Sequence, residues 1–158
     1  KMILSAKYSI LIQTPYFIPD EALLSALKIA KLSGVSIKIM LPLKPDKKFV
    51  YLASLSYVKD LLPSGIEFYL YNGFLHSKTF IVDGKVVAIG SCNFDNRSFA
   101  LNFEVMAFLY GKDFVMQNVK YFENDEKNCI KVDKIFFKRK ILFNKFTQAF
   151  VRLFAPLL

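Results

Sequence analysis

The stretch LHSKTFIVDGKVVAIGSCNFDN (75–96) decides the fold. LHSKTFIV (75–82) and KVVAIGS (85–91) are short apolar runs of strand type, and Asp83-Gly84 between them is a two-residue hairpin signal. The two runs are expected to pair as antiparallel strands. Residues two apart on a strand share a face, so His76 and Lys78 are expected to project together, with Phe80 continuing the row. The return strand ends in Gly90-Ser91-Cys92-Asn93. Closing the hairpin brings Ser91 and Asn93 back to the His76 end.

Upstream, strands and helices alternate. YSILIQ (8–13) reads as a buried strand, followed by TPYFIP (14–19), where Pro15 and Pro19 break regular structure. Asp20 is placed to cap a helix over 21–33, in which Leu23, Leu24, Leu27 and Ala30 recur at helical spacing before Gly34. VSIKIML (35–41) is a strand and PLKPDKK (42–48) a polar loop. A helix over 49–62 ends at Pro63 and Gly65, and IEFYLY (66–71) is a third strand. Downstream, NFDNRSFALN (93–102) reads as a loop, FEVMAFLY (103–110) as a strand and 113–127 as a helix. Alternation of this kind predicts an α/β fold, a mixed β-sheet flanked by helices. Residues 1–130 are expected to form this unit and 131–158 a basic, amphipathic C-terminal helix.

The chain has 158 residues, about one domain. It is 54% hydrophobic, with 17 Phe and 8 Tyr, and its mean hydropathy is positive. Such a composition predicts either an unusually apolar core or apolar surface against a membrane or partner. The formal charge is +9, which attracts polyanions, nucleic acid and anionic lipid alike. Cys92 and Cys129 lack metal-type spacing. The first residue is Lys, and no apolar run reaches the length of a membrane span. The sequence therefore reads as a fragment whose missing part lies on the N-terminal side.

The convergent residues fit phosphodiester chemistry. A histidine attacks phosphorus or protonates a leaving alkoxide. A lysine neutralises phosphoryl oxygens, and Asn and Ser supply neutral donors. The spacing His-x-Lys-x4-Asp-x6-Gly-Ser-x-Asn, carried by His76, Lys78, Asp83, Gly90, Ser91 and Asn93, resembles the HKD signature of the phospholipase D superfamily. YSILIQTPYFIPDEALLSAL, SCNFDNRSFALNFEV and the terminal FVRLFAPLL are similar to the second, C-terminal catalytic half of the bacterial cardiolipin synthases.

The resemblance implies roles. His76 is the phosphoryl nucleophile or its general-acid partner. Lys78, Ser91 and Asn93 hold phosphate, and Glu104 bonds the catalytic imidazole from the following strand. Asp83 orders its turn. Thr14 and Tyr16, in a loop after a strand, are candidate substrate contacts. No cofactor and no metal are implied. Members of this superfamily use two motifs across a pseudo-twofold axis, so this single-motif chain needs a missing N-terminal half or a second copy of itself. The implied reaction moves a phosphatidyl group between two phosphatidylglycerol molecules, releasing glycerol, at the cytoplasmic side of a bacterial membrane. Other readings are a phospholipase D, a homodimeric single-motif nuclease, or a non-catalytic membrane-docking half. Nucleic acid is the less favoured partner, because the aromatics lie mostly within apolar runs.

Residues 134–158 of the tail carry Lys134, Lys138, Arg139, Lys140, Lys145 and Arg152 and no acid. Apolar residues recur between them at three- and four-residue steps. One reading docks this helix on its own domain. The other lays it on anionic lipid, with Phe143, Phe146, Phe150 and Phe154 at the acyl boundary.

Overall fold

The structure is a computed structural model and describes residues 1–139 and 150–154. Its chain order is α1 (Met2–Ser5), β1 (Ser9–Gln13), β2 (Phe17–Ile18), α2 (Glu21–Leu32), β3 (Ser36–Pro42), α3 (Lys48–Leu61), β4 (Glu67–Tyr71), β5 (Thr79–Val82), β6 (Val86–Gly90), β7 (Phe94–Asp95), α4 (Asn96–Ala100), β8 (Met106–Leu109), α5 (Lys112–Glu126), β9 (Cys129–Lys131) and α6 (Lys134–Arg139). Seven strands form one mixed sheet in the order β8-β6-β5-β1-β3-β4-β9. The run β1-β3-β4 is parallel and the remaining pairs are antiparallel.

Strand alternation sorts the sheet into two apolar faces. Ile10, Ile12, Ile37, Ile39, Phe68, Leu70, Phe80 and Val82 point to the face covered by α2 and α3. Met40 and Tyr69 point the other way, against Phe122 of α5, and Ile81 and Val87 meet Val115 of the same helix. Both faces are buried, so these strands read as nearly continuous apolar runs. Asp20 caps α2 by accepting the Leu23 N–H at 2.7 Å.

The loop expected over 93–102 contains β7 and the short helix α4, which Asp95 caps through the Ser98 N–H at 2.6 Å. β7 pairs in parallel with β2, joining the TPYFIP segment to the segment after Asn93. β9 carries the main sheet across residue 130. In the tail, α6 is helical, and so are residues 150–153. There Val151 packs with Ile18 and Ala53, and Arg152 pairs with Asp60 at 2.6 Å. The tail's Lys140, Phe143, Lys145 and Phe146 lie outside the described residues.

The hairpin turn forms as expected, with positive φ at Asp83 (54°) and Gly84 (60°). Asp83 has a second task. Its carboxylate accepts the N–H groups of Lys7, Tyr8 and Ser9 at 2.7–3.2 Å, pinning the entry to β1. Burial pushes its pKa up, but the hydrogen bonds from Ser9, Lys7 and Tyr8 outweigh that and leave it lowered. A depressed folded-state pKa adds stability above the unfolded value, and the contribution disappears as pH falls through the folded one. Asp83→Asn is therefore expected to cost about 1–2 kcal/mol at pH 7. In urea titrations the gap from wild type should close as the carboxylate is protonated in acid. A gap that stays constant with pH would remove the charge from this account.

Candidate active site

The parallel strands β1, β3 and β4 all run toward one end of the sheet, and their exit loops collect there. β5 begins at that end and β6 returns to it. His76 and Lys78 lie in the extended segment just before β5, because the strand starts at Thr79 rather than at Leu75. Gly90 N–H donates to the Lys78 carbonyl at 3.3 Å, so Ser91 arrives beside Lys78 as the hairpin predicts.

His76 is exposed. Its ring stacks on Phe74, with centroids 5.6 Å apart and planes 5° from parallel. Tyr16 meets it edge-on at 6.2 Å and 88°. The imidazole is thus held by two aromatic rings and faces open space. Lys78 folds back so that Nζ donates to the His76 carbonyl at 2.7 Å. Burial lowers the Lys78 pKa, against the opposing fields of Asp46, Glu104 and Asp95. Those three carboxylates surround the ammonium without a direct ion pair among the described residues.

Glu104 is placed differently from expectation. It precedes β8 instead of lying in it, and its carboxylate does not bond the His76 ring. It accepts from the Ser91 hydroxyl, from Ser98 Oγ at 3.1 Å and from Asn102 Nδ2 at 3.1 Å. Ser91 Oγ in turn accepts the Val105 N–H at 3.0 Å. The bonds from Ser91 and Asn102 come first in holding the Glu104 carboxyl below its usual range, and Lys78 adds to them. Glu104 is therefore the hub that fixes Ser91 and Ser98. Through Ser98 Oγ, which accepts the Asn93 N–H at 3.2 Å, it also fixes the backbone of Asn93.

Asp95 is buried behind Asn93. Burial pushes its pKa up, partly offset by bonds from Ser98 and from the Asn93 side chain. Tyr16 donates its hydroxyl to Asp46, and Lys47 Nζ sits 5.9 Å from the Tyr16 ring centre. Burial, then Asp46, drives the Tyr16 phenol well above its ordinary pKa, so Tyr16 stays a neutral donor.

Two expected site residues stand apart. Thr14 is fully buried. It donates to the Tyr16 carbonyl at 2.8 Å and accepts the Phe94 N–H at 3.3 Å, a brace between β1 and β7 instead of a substrate contact. Asp83 sits at the far end of the hairpin, five residues and roughly 16 Å from Lys78 at ~3.3 Å per strand residue. Sequence reasoning missed Phe74, Asp46, Asp95 and Ser98. Asp95 three residues before Ser98 is a helix-cap signal that was legible. Asp46, inside a proline-flanked loop, carried no such mark.

A mixed sheet thus carries an exposed imidazole, an ammonium, an amide and a serine–carboxylate hub at one end. Residues 1–126 match the family model described as "Cardiolipin synthase, PLD-like domain", and the chain belongs to that family. Its relatives include the cardiolipin synthase of Oceanobacillus iheyensis, 48% identical over 159 residues, and cardiolipin synthase 1 of Staphylococcus epidermidis, 48% identical over 160. Each alignment covers 100% of this chain but only 33% and 32% of the relative. Among solved structures, the phospholipase D family member Nuc of Salmonella typhimurium superposes with a TM-score of 0.72 at 24% identity, covering 84% of this chain and 87% of that one. The phosphatidylserine synthase of Haemophilus influenzae gives 0.73 at 18%, over 99% and 41%. At those identities the likeness establishes the fold alone.

Proposed function

We propose that this chain supplies one half of a phosphatidyl-transferring active site and acts as the C-terminal catalytic half of a cardiolipin synthase. The observation that carries the reading is the convergence of His76, Lys78, Ser91 and Asn93 on one open sheet end, with Glu104 bracing the last two. In the first step a histidine nitrogen attacks the phosphorus of one phosphatidylglycerol. The P–O bond to the headgroup glycerol breaks, and the leaving alkoxide takes a proton. In the second step a hydroxyl of another phosphatidylglycerol attacks the phosphohistidine and gives up its proton. The P–N bond breaks, and cardiolipin and glycerol are the products. One phosphodiester is consumed and one formed, so no nucleotide is required.

A histidine that is bonded to phosphorus cannot also protonate the leaving oxygen. The chain contains one histidine, so the second role falls to another half. An apolar surface suited to such a half adjoins the site. Phe99, Leu101, Phe103 and Val105 are exposed beside Glu104. Next to them, a cavity of about 380 Å³ is lined by Phe80, Ala88, Phe94 and Met106. Docking there excludes water, which favours an alcohol over hydrolysis at the second step. Among the described residues no helix is long and apolar enough to cross a membrane.

Mixing this chain with the N-terminal part of the same protein on labelled phosphatidylglycerol vesicles tests the reading. Cardiolipin and glycerol are expected, scored by mass spectrometry, only when both parts are present. Cleavage of labelled single-stranded DNA without any lipid product would replace the synthase with a nuclease.

A further inference from the structure

Two exposed apolar surfaces flank the site, and their charge differs. The surface on the β8 side spans residues 98–111, which carry no Lys or Arg. Charge depletion of that kind suits a protein partner. The other lies across β1, on the β3–β4 side. There the loop between β3 and α3 is tied to the turn that carries Phe74 and His76. Leu43 N–H donates to the Tyr71 carbonyl at 2.9 Å and Lys44 N–H to the Gly73 carbonyl at 3.4 Å. The loop and the start of α3 read LKPDKKF (43–49). The only carboxylate of this stretch, Asp46, is engaged by the Tyr16 hydroxyl and the Lys47 N–H, while Lys44, Lys47 and Lys48 are exposed.

Aromatic rings edge these lysines. Phe49, in the first turn of α3, meets Phe154 at 5.9 Å and Phe150 at 6.5 Å, and Phe150 and Phe154 lie 5.3 Å apart. The three remain 37%, 59% and 37% exposed in the order Phe49, Phe150, Phe154. Phe74, stacked on the catalytic ring by one face, is still 66% exposed. Lysine is depleted at protein–protein interfaces. Lysines beside half-exposed aromatics instead match an anionic bilayer interface, where rings enter the acyl boundary and ammonium groups stay at the headgroups.

We infer that Lys44, Lys48, Phe49, Phe74, Phe150 and Phe154 form a rim that seats the mouth of the site on an anionic lipid surface. This rests on the phosphatidyl-transfer reading and adds the face by which the substrate enters. Docking at this rim sets His76 at headgroup depth and leaves the β8 side free for the second half.

The chain has no Trp, so a single introduced one reports on depth. Phe49→Trp and Leu32→Trp are compared, Leu32 being 88% exposed at the opposite end of the fold. Vesicles of phosphatidylglycerol or phosphatidylcholine carry brominated acyl chains. Quenching of Phe49→Trp on phosphatidylglycerol, absent on phosphatidylcholine and absent for Leu32→Trp, is the expected result. Lys44→Gln with Lys48→Gln is expected to weaken vesicle binding roughly 30-fold. No binding to phosphatidylglycerol vesicles, quenching at Leu32→Trp instead of Phe49→Trp, or binding indifferent to the two lysines overturns the rim. Turnover of a short-chain, monomeric phosphatidylglycerol by the paired halves of the unmodified protein is scored in parallel. Absence of that turnover with quenching intact overturns phosphatidyl transfer and not the rim.

Discussion

His76→Ala is expected to abolish cardiolipin formation by the paired halves, with a fall of at least about 10³-fold, and to leave the fold unchanged. The side chain is exposed, and among the described residues its ring contacts are those with Phe74 and Tyr16. Little packing is lost, so thermal unfolding of the variant should match wild type within about 0.5 kcal/mol. The same variant separates the two roles open to this imidazole. An activated ester with a p-nitrophenyl leaving group needs no proton donor to depart. If His76 is the acid, the variant still releases p-nitrophenol in a burst, with the phosphoryl group held by the other half. If His76 is the nucleophile, no burst appears with either leaving group. Cardiolipin formation at the wild-type rate by a folded variant would remove His76 from the chemistry altogether.

The sheet was legible because burial on both faces leaves a local trace. Ile10, Ile12, Ile37, Ile39 and Phe80 lie in apolar runs bounded by Pro, Gly or Asp-Gly, and each run became a strand. The chemistry-bearing hairpin was legible for the same reason, with its turn written in Asp83-Gly84. What escaped notice depends on distant partners. β2 and β7 are two residues each and exist only because Phe17 pairs with Phe94; two residues carry no periodicity to read. β9 is three residues long and owes its pairing to Tyr69, Leu70 and Tyr71. α4 is too brief for a repeat, and only its Asp95 cap announces it.

At the site the strands are shorter than their apolar alternation predicts. The apolar alternation that continues through LHSK and FEV extended both strands past their ends. The site residues sit in those extensions, outside the ladder. Their backbone is free to turn, and the side chains are set by specific bonds: Lys78 by the His76 carbonyl, Glu104 by Ser91, Ser98 and Asn102. Spacing named the groups correctly and gave no account of which hydroxyl each carboxylate would hold.

Gly90 shows how tightly that extension is built. A Cβ placed there would lie 2.0 Å from the Val105 carbonyl oxygen and 2.9 Å from Met106 Cα. The Met106 sulfur, 2.6 Å away, can swing aside, but the two backbone atoms cannot. Gly90→Ala must therefore separate β6 from β8 where Gly90 faces Met106. The Ser91 N–H to Val105 carbonyl bond (3.0 Å) and the Val105 N–H to Ser91 Oγ bond (3.0 Å) open with it. Ser91 then leaves Glu104, and the brace on Asn93 loosens, while His76 and Lys78 keep their covalent places. Overpacking of this kind costs about 1–3 kcal/mol or more, which lowers the melting temperature by roughly 2–4 °C for each kcal/mol in a chain of this size. Gly111→Ala is the control for added bulk, because a Cβ at Gly111 meets nothing within 4 Å; Gly111 is the N-cap of α5, so the variant should lose no more than about 1 kcal/mol. Amide exchange at Ser91 and Val105 should accelerate in Gly90→Ala alone, with transfer activity falling in the same variant. If Gly90→Ala melts with Gly111→Ala and keeps both amides protected, the close approach of β8 to β6 does not hold the site together.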